Sequence, residues 1–163
     1  MNQAKTHRVV TTIVALAVAW LLAGCSRKTV YSHYAHTPIV GWDRSDSLLF
    51  DVAPVSAGGT YDELVGLRIS SSYPFMGLTL IVDQHVFPSS LHRIDTLHAH
   101  LIDQEGNIQG QGISFFQYQF LLRRLQLNAG DSLHVCIRHA MKRENLPCIS
   151  DVGFTLIMNY ELN

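Results

Sequence analysis

Charge is what this sequence has least of: Asp, Glu, Lys and Arg make up 15% of its 163 residues, against 47% hydrophobic. Twelve Lys and Arg face thirteen Asp and Glu, a formal net of −1, so nothing favours nucleic acid or an anionic membrane surface as partner. So high an apolar share excludes global disorder and permits a packed core within one domain. Internal repeats and low-complexity tracts are absent. No serine sits in a Gly-x-Ser-x-Gly elbow, which removes that route to an activated nucleophile. The acidic residues are scattered, mostly in turn-like stretches where they bond local backbone, and their spacing supports no glycosidase pair. The chain is therefore read as non-enzymatic, with no catalytic residues and no cofactor. A 20-residue apolar run is lacking too. The longest, Val9 to Ala23, is interrupted by Thr11 and Thr12 and falls short of the ~20 residues a spanning helix needs.

What the chain does have at its start is Lys5 and Arg8 with no acid, then that apolar run, then Leu22-Ala23-Gly24-Cys25. A charged n-region, an h-region and small residues at the cleavage point form a secretory signal. Cys directly after Leu-Ala-Gly resembles a bacterial lipobox. In that chemistry the Cys25 thiol is lipidated and the chain is cut before it, leaving a covalent lipid such as palmitate as the membrane anchor. Two or more acyl chains hold stably, at about 0.8 kcal/mol per buried methylene. Losing Lys5 and Arg8 leaves ten basic against thirteen acidic residues, a net of −3. Residues 1–24 are thus read as a lipoprotein signal peptide and 25–46 as lipid anchor and tether or entry segment. Residues 47–163 are read as the folded domain.

Within 47–163 the hydrophobic period is two. Strands are expected over Ser47–Val52, Thr60–Ser70, Gly77–Val82, Arg93–Ile102, Ile113–Leu122, a segment around Leu133, Val135 and Ile137, and Val152–Tyr160. Gly77–Val82, continuously apolar, is expected to be buried on both sides. Gly58-Gly59, Ser71 to Pro74, Phe87 to Ser90, Asp103 to Asn107 and Asn128 to Asp131 supply the turns. A short helical turn is expected around Met141–Asn145, stopped by Pro147. Trp42 is expected to cap one edge of the core with a partner for its indole N–H. Seven to eight strands of this kind define an all-β fold, an antiparallel β-sandwich of jelly-roll type.

Nine histidines raise the question of a metal. His98 and His100 share a strand face, as do His134 and Cys136, and four such donors around zinc would require the two strands to be neighbours. No carboxylates stand ready to orient the imidazoles, so no metal is expected. Cys136 and Cys148 are an even pair in an oxidising compartment. The sequence is equally compatible with a disulfide between them and with two buried free thiols, because geometry decides. The run Phe115 to Phe120 reads as a core strand; its alternative use is a platform for sugar rings. Arg138 to Asn145 is the densest polar stretch, leading on to Asp151. It reads equally as a basic loop in which Arg138 pairs with Asp151 and as a partner-docking surface built from Arg138, His139, Lys142, Arg143 and Asp151.

Several stretches together resemble the GldH family, the gliding-motility lipoproteins of Bacteroidetes. They are Cys25 in its lipobox, His36-Thr37-Pro38-Ile39-Val40-Gly41-Trp42, Tyr73 to Leu80, Leu101-Ile102-Asp103 with Gly106-Asn107, and Gly110-Gln111-Gly112. Arg138-His139, Met141 to Glu144, and Leu146-Pro147 through Ser150 to Gly153 complete the likeness. One departure is Cys148, where the family pattern leads one to expect Gly, a residue that marks backbone angles others avoid. The resemblance implies a lipid-anchored accessory of the gliding machinery, coupled to type IX secretion, that binds other envelope proteins. With no Asp after Cys25 the outer membrane is expected. With no acidic run there, the periplasmic face is favoured. The alternative function is a carbohydrate-binding lipoprotein.

Overall fold

The computed structural model describes residues 28–159. The signal segment 1–24 and Cys25 lie outside the described residues. Among the described residues eleven strands form: β1 Lys28–His36, β2 Trp42–Asp43, β3 Leu48–Val52, β4 Gly59–Ser70, β5 Gly77–Phe87, β6 Leu91–His100, β7 Gln111–Gly112, β8 Phe115–Leu127, β9 Ser132–His139, β10 Asn145–Leu146 and β11 Ile149–Asn159. One sheet runs β1-β11-β4-β8-β7 and the other β3-β9-β5-β6, with β2 and β10 forming a separate two-stranded ribbon. Every pairing is antiparallel. The expected all-β sandwich is what forms, with more strands than the seven or eight legible in the pattern.

Alternation dictates which side chains meet between the sheets. Val65, Leu67 and Ile69 of β4, Leu78, Leu80 and Val82 of β5, Leu133, Val135 and Ile137 of β9, and Val152, Phe154 and Leu156 of β11 are all buried. Phe50 of β3 meets Phe154 of the opposite sheet at a ring-centroid separation of 6.2 Å. β5 has neighbours on both edges, yet Thr79 and Ile81 are only half-buried. The expectation of burial on both sides fails because an antiparallel sheet can leave one face to water.

The segment read as a tether contributes a strand. β1 pairs along β11 from Lys28↔Met158 to His36↔Asp151. Its residues are mostly exposed and its sequence shows little apolar period of two; pairing with β11 holds it, with Tyr31 and Ala35 packed against the core. Tyr34 adds a specific contact. Gly153 pairs with Tyr34 on one side and Gly66 on the other, and the Tyr34 ring lies over both glycines. A Cβ on Gly66 would stand 2.2 Å from the Tyr34 hydroxyl, and one on Gly153 2.7 Å from its ring. The glycines are there for close approach of an aromatic, a device that shields exposed strand backbone.

The expected helical turn at Met141–Asn145 is absent. Residues 142–144 are bends, and Asn145–Leu146 instead pairs with Trp42–Asp43. The ribbon closes one end of the core: Trp42 is fully buried, and its Nε1–H donates to the Asp46 carbonyl at 3.2 Å.

Candidate functional site

The stretch from Arg138 to Asp151 splits by depth. Strand alternation on β9 sends Arg138 outward and His139 inward. His139 is fully buried and stands edge-on to Trp42 at 5.2 Å. Its Nε2 lies 3.1 Å from the Trp42 carbonyl, and the Met141 N–H donates to Nδ1 at 3.4 Å. Those partners assign the tautomer with the proton on Nε2. Burial pushes the imidazole pKa below its ordinary value, opposed by the hydrogen bond to Trp42. Lys142 and Arg143 are exposed, and Arg143 Nε donates to the Asn145 carbonyl at 2.9 Å.

Asp151 is 1% exposed and belongs to the other sheet. Cross-strand pairing puts His36 on one side of it and Arg68 on the other. Its carboxylate contacts His36 Nδ1 through Oδ1 and Arg68 through Oδ2 at 3.5 Å, and accepts from the Ser150 hydroxyl at 2.6 Å. The expected Arg138–Asp151 pair is therefore replaced by a His36–Asp151–Arg68 row, because the two residues sit in different sheets. Of the five residues named for partner contact, Arg138, Lys142 and Arg143 are available at the surface. His139 and Asp151 are buried: His139 accepts from the Met141 N–H at the start of the loop, while Asp151 ties His36 and Arg68 together within the other sheet.

The two cysteines are free thiols. Cys136 projects from the outer face of its sheet between Leu49 and Asp83, while Cys148 lies in the turn entering β11 of the other sheet, so their side chains do not meet. Cys148 has φ +67°, in the left-handed region where a glycine was expected. A non-glycine residue there costs about 1–2 kcal/mol, partly offset by glycine's extra unfolded-state freedom. Cys148→Gly is expected to raise stability by about 0.5–1 kcal/mol, read as a higher urea midpoint at unchanged slope; a lower midpoint would mean that thiol packing outweighs backbone strain.

The four donors weighed for zinc do not assemble. β5 lies between β6 and β9, which separates His98 and His100 from His134 and Cys136, and His98 Nδ1 instead meets the Thr79 hydroxyl at 3.2 Å. The aromatic run of β8 splits by face: Tyr118 is 7% exposed and Phe116 and Phe120 pack against buried residues, while Phe115 is 52% exposed. Tyr118 also donates its hydroxyl to the Leu101 carbonyl at 3.3 Å. Its ring is thus not presented as a stacking face, and of the run only Phe115 is exposed as a large apolar side chain.

Fold and surface together define an antiparallel β-sandwich with a basic exposed loop over a buried Trp–His ribbon. Comparison with known proteins adds the lineage. The GldH lipoprotein family model matches residues 29–156, and the chain belongs to that family. It is 27% identical over 156 residues to the gliding motility lipoprotein GldH of Flavobacterium johnsoniae, a match spanning 91% of this chain and 97% of that one. Among solved structures, a family GH115 4-O-methyl-α-glucuronidase, BtGH115A, aligns with 85% of this chain at 13% identity and a TM-score of 0.40. A GH26-CBM35 β-(1,4)-mannanase of Podospora anserina aligns with 85% at 10% identity and a TM-score of 0.39. The chain spans 18% and 27% of those two structures, and likeness at that level carries no functional argument.

Proposed function

We propose that this protein is a lipid-anchored, non-enzymatic accessory of the envelope machinery for gliding motility, linked to type IX secretion, and acts by holding other envelope proteins. The observation that supports it most is the family match over residues 29–156, joined to a named gliding-motility lipoprotein aligned over nearly its whole length. The Leu-Ala-Gly-Cys25 sequence supports lipid attachment, Ser26 rather than Asp after Cys25 supports the outer membrane, and the lack of an acidic run there supports its periplasmic face. Arg138, Lys142 and Arg143 are the contact residues of this reading, since Arg138 is exposed at the end of β9 and Lys142 and Arg143 on the loop that follows, between buried His139 and Leu146.

In-cell crosslinking of the full chain, followed by purification and mass spectrometry, tests this. Motility or secretion envelope proteins should be enriched with the wild type. A variant carrying Arg138→Glu and Lys142→Glu should lose them by at least tenfold while keeping its melting temperature, because surface charges contribute little to folding. Recovery of bulk outer-membrane proteins alone, or equal recovery with the variant, would overturn the scaffold reading.

A further inference from the structure

The outer face of the four-stranded sheet carries an arrangement that the family reading does not use. Cross-strand register places Asp51 opposite His134, His134 opposite His85, and His85 opposite His92. One line of side chains thus runs over all four strands. Two residues along β5 from His85, Asp83 projects from the same face. Its carboxylate oxygen Oδ1 lies 2.7 Å from His92 Nε2 and 3.6 Å from His85 Nε2. The two imidazoles are stacked, centroids 4.1 Å apart and planes 7° from parallel. One ligand atom from each of the three residues lies within 4.8 Å of the others.

An ordinary ion pair explains one histidine on one carboxylate. Here two stacked rings turn both Nε2 atoms to the same oxygen, so two nitrogen donors and one carboxylate converge on a single point of the face. A cation shared by both nitrogens and the carboxylate satisfies all three groups at once. Two nitrogen donors and one oxygen donor select a borderline transition metal over calcium or magnesium, which take oxygen ligands. Tetrahedral zinc at about 2.0–2.2 Å from each donor sets the donors roughly 3.4 Å apart. Because the rings now lie parallel, 7° apart, both Nε2 lone pairs meet on one ion only when the rings tilt out of the stack toward each other, a side-chain rearrangement that the exposed and half-exposed positions leave open. We propose that Asp83, His85 and His92 form a zinc-type metal site, with three protein ligands and a fourth position for water. This departs from the expectation, drawn from the sequence, that no metal is held. The residues responsible are not those that sequence spacing suggested, because His92 is brought to His85 only by the β5–β6 pairing.

The test is zinc titration by calorimetry on the full-length protein in detergent, purified without a histidine tag. Cobalt(II) serves as an optical probe of coordination. One equivalent of zinc should bind saturably at neutral pH, and cobalt should give the visible spectrum of a site with nitrogen ligands. His85→Ala and His92→Ala should each weaken binding at least tenfold, and Asp83→Asn should weaken it as well. His98→Ala, on the same outer face of β6, should leave it unchanged. All four positions lie on an exposed or half-exposed face, and circular dichroism confirms that the variants remain folded. Absence of saturable binding would overturn the proposal, as would binding that survives His85→Ala and His92→Ala or falls equally with His98→Ala.

Discussion

Glu63→Gln should stabilise the protein at pH 8 by up to about 3 kcal/mol and leave it nearly unchanged near pH 4. Glu63 of β4 is fully buried between the sheets, where alternation would ordinarily place an apolar residue. Gln84 of β5, 1% exposed, donates to its Oε2 at 3.0 Å. Arg123, its cross-strand neighbour on β8, is held by Asp95 at 3.1 Å. Loss of water is the main influence on the carboxyl. It pushes the pKa from 4.5 to about 7, against the pull of the Gln84 hydrogen bond and the Arg123 and Arg93 charges. The neutral acid is therefore the form the fold prefers. Its contribution is fully present below the unfolded value of 4.5 and is lost as pH rises to about 7. Glutamine keeps the shape and the hydrogen-bonding capacity without a proton to lose. Urea unfolding at intervals from pH 4 to 8 measures this directly. The wild type should lose stability through that window relative to the variant, and parallel profiles would show that Glu63 stays ionised in the folded protein.

Trp42→Ala should cost about 3–5 kcal/mol, the range for emptying a large aromatic site in a core. The indole is fully buried, donates to the Asp46 carbonyl and packs edge-on against His139. Its loss removes the plug from the end of the sandwich closed by the β2–β10 ribbon. A second effect distinguishes this from generic cavity formation. Burial holds the His139 pKa below 6.5, so its contribution is complete above 6.5 and declines as pH falls below that value. Opening the ribbon admits water to His139, and the variant should show a weaker acid-side loss than the wild type. Denaturant melts at pH 5.5 and 7.5 give both quantities. A loss under 1 kcal/mol would mean that the ribbon is peripheral to stability.

Glu63 and His139 impose opposite slopes. Glu63 favours the acid side and His139 the neutral side, so their effects partly cancel between pH 4.5 and 6.5. In Glu63→Gln the His139 slope stands alone, and stability should then rise with pH across that interval.

Much of this architecture was legible in the residues. The alternation of Val65, Leu67 and Ile69, and of Leu133, Val135 and Ile137, assigned both strands and their buried faces, because period two leaves no other amphipathic conformation. Phe87 to Ser90 and Asn128 to Asp131 marked turns through local backbone chemistry alone. Trp42 was assigned to the core edge on size and its single polar handle, and the structure puts it there. The glycine missing at Cys148 corresponds to a positive φ. The family likeness was legible too, and it carries the functional reading further than any site geometry does.

What only the tertiary structure decided has one cause: strand order is a long-range property that a strand's own residues do not encode. β1 carries little apolar period of two because it is an edge strand, and its Tyr34 has meaning only over Gly66 and Gly153 of two other strands. Asp151 looked like a partner for Arg138 in sequence, and cross-strand pairing gave it His36 and Arg68 instead. A polar residue at an inward position, such as Glu63 or Gln84, looks like an exposed one until the opposing sheet supplies its partner. The histidines show the same thing at a functional scale. Their number is set by the sequence, but register alone stacks His85 on His92 beside Asp83 and keeps His98 and His134 apart, since backbone hydrogen bonding places residues distant in the chain within a side chain's reach.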